Sequence, residues 1–160
     1  MLFYQPGGYI PPMHKHLMSD SLFHHTYAIT TADLNHYGII HGGRLLTLCD
    51  EAGYISAHRH ANCACLTRAV HQAIFHRGSR EGEELIISAK IGLTGHSSIW
   101  VPVSVTSAID EKPVMDAVFV YVAVDAHQTV QRIPPAIAIS EEEQQTQKIL
   151  EQLRAQIRTS

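Results

Sequence analysis

The stretch NHYGIIHGGRLLTLCDEAG, residues 35–53, sets the strictest limit on what this chain can fold into. Leu45, Leu48, Cys49, Ala52, Ile55 and Ser56 recur at helical spacing, and Leu46, Gly53 and Ala57 put apolar or small groups around the rest of the circumference. A helix of this kind predicts other structure wrapped around it. Its start is placed at Gly42 or Gly43, where the missing side chains free the backbone to turn and to approach another group. Yet Asp50 and Glu51 stand side by side inside the run. A carboxylate flanked by Leu48, Cys49 and Ala52 loses hydration on burial, which is costly without a partner. The helix must be covered, and it must also keep a carboxylate for some purpose other than packing.

The covering elements follow in the chain. SLFHHTYAITTADL, residues 21–34, is rich in β-prone side chains (Phe23, Thr26, Tyr27, Ile29, Thr30) and predicts a first strand, closed by a turn around Asp33 to Gly38. After Asn62 the period changes from helical to strand-like in four runs, residues 63–75, 84–95, 97–109 and 113–124. The runs are broken at Arg77 to Glu83, Gly95 to Ser97 and Asp110 to Lys112. One strand, one buried helix and four strands make an α+β layout, an antiparallel sheet curled around the long helix. Pro102 cannot donate to a ladder, so an edge or a bulge is expected there. Ser140 with Glu143 forms a capping-box pattern at the start of a second helix, residues 140–160, whose sparse apolar residues (Ile149, Leu150, Leu153, Ile157) suit a surface or subunit contact. Residues 1–20 mix Pro, Gly, Met and His without periodicity and read as an N-terminal arm, leaving residues 21–139 as the one domain.

Composition narrows the function classes. With 15 acidic against 12 basic residues the net charge is −3, and the densest basic group, Arg77, Arg80 and Lys90, is interrupted by Glu81, Glu83 and Glu84. No nucleic-acid partner is expected. No run approaches the roughly 20 apolar residues of a membrane span. Three cysteines, Cys49, Cys63 and Cys65, are an odd number, and a Cys63–Cys65 bridge would close a strained loop, so a reduced, cytoplasmic setting is the simpler expectation. HRHANCAC, residues 58–65, spaces His58, His60, Cys63 and Cys65 unlike a zinc site, and no metal or separate cofactor is expected. There is no G-x-S-x-G nucleophile elbow, and Cys49 has no evident base.

What remains is the turn and the carboxylate. The backbone N–H groups at a helix start favour a negatively charged oxygen, the physics of an oxyanion hole, although Gly42 and Gly43 also suit a plain tight turn. Gly43 and Asp50 are seven residues apart, nearly on one helix face but separated by a rise of roughly 10 Å. One carbonyl cannot touch both from a single helix. Two such helices lying antiparallel in a dimer would bring the glycine end of one to the Asp50 level of the other.

Asn35, Gly38, His41-Gly42-Gly43 and Asp50-Glu51-Ala52-Gly53 together resemble the hot-dog-fold acyl-CoA thioesterases, in particular the acyl-CoA hydrolase branch. Phe75, Gly82-Glu83, Thr94 to Ser98 and Phe119 to Asp125 are similar to later motifs of that family, so the resemblance spans about residues 23–135. It implies hydrolysis of an acyl-CoA thioester by Asp50, acting as general base on water or as nucleophile, with Glu51 as the alternative carboxylate. It further implies carbonyl polarisation by the Gly42 and Gly43 amides, positioning of substrate or water by Asn35 across a dimer interface, and CoA bound near Gly95, Ser97 and Ser98. His41 is a further candidate for orienting substrate. CoA enters only as part of the substrate, and self-association as a dimer, extended to a tetramer or hexamer, is implied. The chain departs from the pattern at Ile39, Gly78 and His71, which bears on substrate details. A hydratase of the same fold lacks its signature here, because Asn35 is followed by His36, Tyr37 and Gly38. A non-catalytic acyl-CoA-binding or sensing module is the alternative from another class.

Overall fold

A computed structural model describes residues 16–159 of the chain. The sheet consists of β1 (Phe23–Ala28), β2 (Ala64–Phe75), β3 (Glu84–Ala89), β4 (Leu93–Thr94), β5 (Ser98–Ser107) and β6 (Pro113–Val124). All pairings are antiparallel in the order β1-β3-β5-β6-β2, with β4 also beside β5. Helix α1 (Gly42–Ala61) packs across this sheet, and α2 (Glu141–Thr159) lies outside it. This is the expected hot-dog arrangement. Most of the N-terminal arm expected at residues 1–20 falls outside the described residues; of its last part, Leu17 bridges Ile137 and Met18 is fully buried in the core.

Leu45, Leu48, Cys49, Ala52, Ser56 and Ala57 of α1 are buried against Leu85, Ile87, Val103, Val105, Met115, Phe119 and other inward side chains of the sheet. The wrapping is less complete than the helix sequence predicts. Gly43, Thr47, Glu51, Tyr54 and His58 lie on an exposed stripe of α1, and Asp50 is half-buried beside it. The helix ends at Asn62, which takes the left-handed conformation at φ 53° and returns its amide to the His58 carbonyl.

The run 84–95, expected as one strand, is two. β3 ends at Ala89, opposite Val103, and pairing resumes at Leu93, opposite Trp100. Pro102 lies across from the interruption, so its missing N–H costs the ladder nothing on that side. β5 is therefore a central strand whose neighbour breaks, rather than an edge. Leu150 and Leu153 of α2 pack with Leu93, Trp100 and Val120 on the outer face of the sheet, while Ile149 and Ile157 remain exposed. The capping box at the start of α2 is formed in both directions, Ser140 Oγ accepting from the Glu143 amide at 3.1 Å and Glu143 Oε2 accepting from the Ser140 amide at 3.3 Å. No helix among the described residues is long and apolar enough to cross a membrane.

Strand β2 sits at one end of the sheet and, among the described residues, pairs only with β6. It is 12 residues long, and Leu66, Val70, Ile74 and Phe75 on it are 41–52% exposed. A long apolar edge strand invites pairing with another chain. Its register slips between Thr67 and Ala69 and again between His71 and Ile74, where Gln72 has φ 52°.

The loop before α1 is fastened by a buried carboxylate. Asp33 accepts from Tyr27 Oη at 2.8 Å, the Thr30 amide at 2.9 Å and Arg44 Nε at 3.0 Å, while its backbone carbonyl holds the His41 amide at 2.9 Å. Burial alone would raise the Asp33 pKa, but the Thr30 amide, Tyr27 and Arg44 outweigh it and hold the carboxyl down at about 2. A carboxyl depressed in the folded state stabilises the fold above its unfolded value of 3.8 and loses that contribution as pH falls toward 2. Asp33→Asn is therefore expected to lower urea stability at pH 6 by roughly 1–3 kcal/mol, the cost of uncoupling buried polar partners. The gap between variant and parent should close between pH 4 and pH 2; an unchanged gap across that window would count against the network.

Candidate active site

The first turn of α1 presents free donors. The amides of Gly42, Gly43 and Arg44 have no acceptor among the described residues, and His41 at the N-cap makes no side-chain cap bond. Space above Gly43 is open, since a Cβ there would meet nothing within 4 Å, whereas at Gly42 it would lie 3.2 Å from the Phe75 ring. Phe75 thus walls one side of the turn and the other is clear for a ligand.

Asn35 is tied into the preceding loop. Its Oδ1 accepts from the Tyr37 amide at 2.9 Å and more weakly from the Ile39 amide at 3.3 Å, and its backbone pairs with Ile39. Two donors on the carboxamide oxygen leave the Nδ2 end as the donor to anything outside. Gly38 closes this loop at φ 77°, a conformation that glycine reaches without strain.

Asp50 lies two turns along α1, roughly 10 Å from the glycines by helix geometry, so within one chain it forms a second group. Its Oδ1 accepts from Thr67 Oγ1 at 2.7 Å and from Tyr121 Oη at 3.1 Å, and the same tyrosine hydroxyl bonds the Asp50 carbonyl at 2.8 Å. Thr67 and Tyr121 are direct cross-strand partners on β2 and β6, which puts both hydroxyls on the helix side of the sheet. The register slip immediately after Thr67 is of the kind that re-aims side chains beside a site. Asp50 is half-buried, so it gives up part of its hydration and keeps the rest. Glu51 is exposed without a hydrogen bond among the described residues, yet it lines the same shallow groove of about 450 Å³ as Asp50, Tyr54, Ile55 and Thr67. Partners, more than direction, separate the two carboxylates.

Neither Thr67 nor Tyr121 was singled out as a site residue by the sequence: Thr67 lay in a β-prone run, and Tyr121 only within the Phe119 to Asp125 stretch that resembles the family's last strand. Burial pushes the Tyr121 phenol far above its ordinary range, and the Asp50 carboxylate adds to the rise, so the hydroxyl is a permanent donor. Burial likewise pushes the Cys49 thiol up to about 12, aided by Asp116 and Asp50, which removes it as a thiolate nucleophile near neutral pH. The histidines and cysteines of residues 58–65 are spent locally: His58 bonds the Cys63 carbonyl at 2.8 Å and His60 the Pro134 carbonyl at 2.6 Å.

Gly95, Ser97 and Ser98 line a third feature, a cavity of about 620 Å³ shared with Arg68, Arg132, Arg154 and Arg158. The basic patch missing from the linear sequence is thus assembled by the fold from residues spread over β2, the loop after β6, and α2. None of the four guanidinium groups forms an ion pair among the described residues. Converging cations without a carboxylate partner favour an anionic ligand. Thr67 faces Asp50 while Arg68, the next residue, faces this cavity, so β2 separates the two features.

The thioesterase superfamily profile matches residues 37–114. The cytosolic acyl coenzyme A thioester hydrolase of Mus musculus is 28% identical over 127 residues, 73% of this chain but 32% of that protein, so the chain spans about a third of the length of that relative. The acyl-CoA hydrolase of Staphylococcus aureus, solved with butyryl coenzyme A, coenzyme A and coenzyme A disulfide, shares the fold with a TM-score of 0.80 at 23% identity, covering 89% of this chain and 88% of its own. Variants of that enzyme solved with one asparagine, one aspartate and one threonine replaced by alanine place the three 15 and then 17 residues apart, the spacing of Asn35, Asp50 and Thr67 here. The hexameric thioesterase of Yersinia pestis is 30% identical, with a TM-score of 0.64 over 68% of this chain and 92% of its own. By the 30% identical Yersinia pestis enzyme, the matching profile and the hot-dog architecture together, the chain belongs to the thioesterase superfamily.

Proposed function

We propose that the chain hydrolyses acyl-CoA thioesters at a site shared between two copies, with Asp50 supplying the reactive carboxylate. The observation that carries this is the setting of Asp50: one oxygen is held by Thr67 and Tyr121, and the carboxylate borders an open groove. The matching spacing of the residues altered in the S. aureus enzyme supports the choice of Asp50 over Glu51.

A second copy reconciles the two separated groups. Pairing of β2 with the β2 of another copy would cover its exposed apolar residues and lay the two α1 helices antiparallel. The Gly42 and Gly43 amides of one copy then face the Asp50 level of the other, with Asn35 Nδ2 beside the glycines. The thioester carbonyl points at the free amides, which stabilise the oxyanion as the carbonyl carbon becomes tetrahedral. Along one route Asp50 takes a proton from water, the resulting hydroxide forms the new C–O bond, and collapse breaks C–S and expels the CoA thiolate. Along the other Asp50 itself forms the C–O bond, collapse breaks C–S and expels the CoA thiolate, and water then opens the mixed anhydride to the free acid and the regenerated carboxylate. Single-turnover hydrolysis in ¹⁸O-water separates them: the water route labels the product acid in the first turnover, and the anhydride route, opened by water at Asp50, labels the protein.

The arginine-lined cavity fits the phosphate groups of CoA, with Gly95, Ser97 and Ser98 at its floor. Because β2 lies between this cavity and Asp50, the pantetheine arm would pass around the end of β2, beside the contact with the second copy.

Asp50→Ala is expected to lower kcat by on the order of 10²–10⁴-fold, as removal of a general base or nucleophile does, in a free-thiol release assay over a panel of acyl-CoAs. Turnover unaffected by the change would sink the mechanism, and acyl-CoA binding without turnover by the parent would favour a sensor. Arg154→Ala and Arg158→Ala should each raise KM for acyl-CoA roughly tenfold, with kcat nearly constant, as expected for lost charge-assisted phosphate contacts. The same variants should treat acyl-pantetheine, which lacks the nucleotide, as the parent does; an equal loss on both substrates would show that the arginines serve the fold.

A further inference from the structure

We propose that Tyr121 is a positioning residue that decides which oxygen of Asp50 works, an inference that rests on the thioesterase reading above. Its hydroxyl, fully buried, reaches the Asp50 carbonyl at 2.8 Å and Oδ1 at 3.1 Å, and Thr67 Oγ1 reaches the same Oδ1 at 2.7 Å. Oδ2 has no hydrogen-bond partner among the described residues. Two donors on one oxygen, both from the sheet side, fix the carboxylate torsion and turn Oδ2 toward the groove. The bond to the Asp50 carbonyl also holds the helix backbone at the height at which the side chain is used.

Gly53 makes this arrangement possible. One turn beyond Asp50, a Cβ at that position would run into the Tyr121 hydroxyl and come within 3.1 Å of the ring carbon that bears it. The glycine of the Asp-Glu-Ala-Gly stretch therefore leaves room for a hydroxyl carried by a strand 68 residues further along the chain.

The titratable and charged groups around the Asp50 carboxylate are few. From β6 comes Tyr121, and Asp116 of the same strand acts on the adjoining Cys49. β2 contributes no charge at this point, only Thr67 and the buried Cys65. From α1 itself come Glu51, Tyr54 and Cys49. With no cation among these groups, the hydroxyls of Thr67 and Tyr121 are what hold the carboxylate in place.

Tyr121→Phe is the test, with kcat and KM measured on the full chain. The account predicts a roughly tenfold lower kcat with KM within about twofold, because the carboxylate loses its fixed orientation while the binding contacts remain. Gly53→Ala should give the same kinetic loss by pushing the hydroxyl aside. Combining it with Tyr121→Phe should recover thermal stability relative to Gly53→Ala alone without recovering kcat. The carbon-13 shift of the Asp50 carboxyl at one fixed neutral pH in substrate-free protein keeps the question separate from turnover, since losing the hydroxyl donor should move it in Tyr121→Phe even if no thioester is hydrolysed. An unmoved carboxyl shift, or lost stability with kcat unchanged, would make Tyr121 a packing residue and overturn the proposal.

Discussion

Everything that distinguishes this site depends on a hydroxyl reaching from the sheet into the helix. α1 has to be core on one side and ligand-facing wall on the other, and Asp50 stands at the boundary between them. A carboxylate there would otherwise be free to rotate into solvent. Thr67 and Tyr121, opposite each other on neighbouring strands, hold one of its oxygens from below. That contact requires glycine at residue 53, fixes the height of the helix over β6 and β2, and leaves the other face of α1 exposed for a partner.

The same logic orders the rest of the fold. Asp33 anchors Tyr27, Thr30 and Arg44 and lends its carbonyl to His41, which sets where α1 begins and so where the Gly42 and Gly43 amides point. On the outer face, α2 packs through Leu150 and Leu153 and brings Arg154 and Arg158 to the cavity floored by Gly95, Ser97 and Ser98. Anion-favouring charge lies on one face of the sheet and the candidate reactive carboxylate on the other. Only the unpaired edge of β2, with Leu66, Val70, Ile74 and Phe75 exposed along it, lies between them.

The sequence made the elements legible and the contacts less so. The helix start at Gly42 follows from glycine and apolar spacing, and the strands from runs of β-branched and aromatic residues, because both signals are local. The Ser140–Glu143 capping box is equally local. The break between β3 and β4 was hidden, because residues 84–95 read as one strand-like run and Pro102, opposite the interruption, sits on the neighbouring strand. Helical periodicity suggested a helix covered on most sides, whereas one stripe is bare in the single chain. Asp50 was found because a carboxylate in an apolar run is anomalous. Thr67 and Tyr121 were passed over because a threonine and a tyrosine in strands are ordinary until the register sets them opposite each other. The basic cavity escaped notice because its arginines lie 64 and 22 residues apart before the pair on α2.

The central claim is that each site takes its free amides and Asn35 from one copy and its carboxylate from the other. Mixing two inactive proteins, Asn35→Ala and Asp50→Ala, under conditions that exchange subunits tests it directly. In a mixed dimer both substitutions fall into one site and leave the other whole. With half of the dimers mixed, turnover should recover to roughly a quarter of the parent's, as random exchange in a closed two-fold dimer requires. If both groups act within a single chain, mixing restores nothing, and the shared site is wrong.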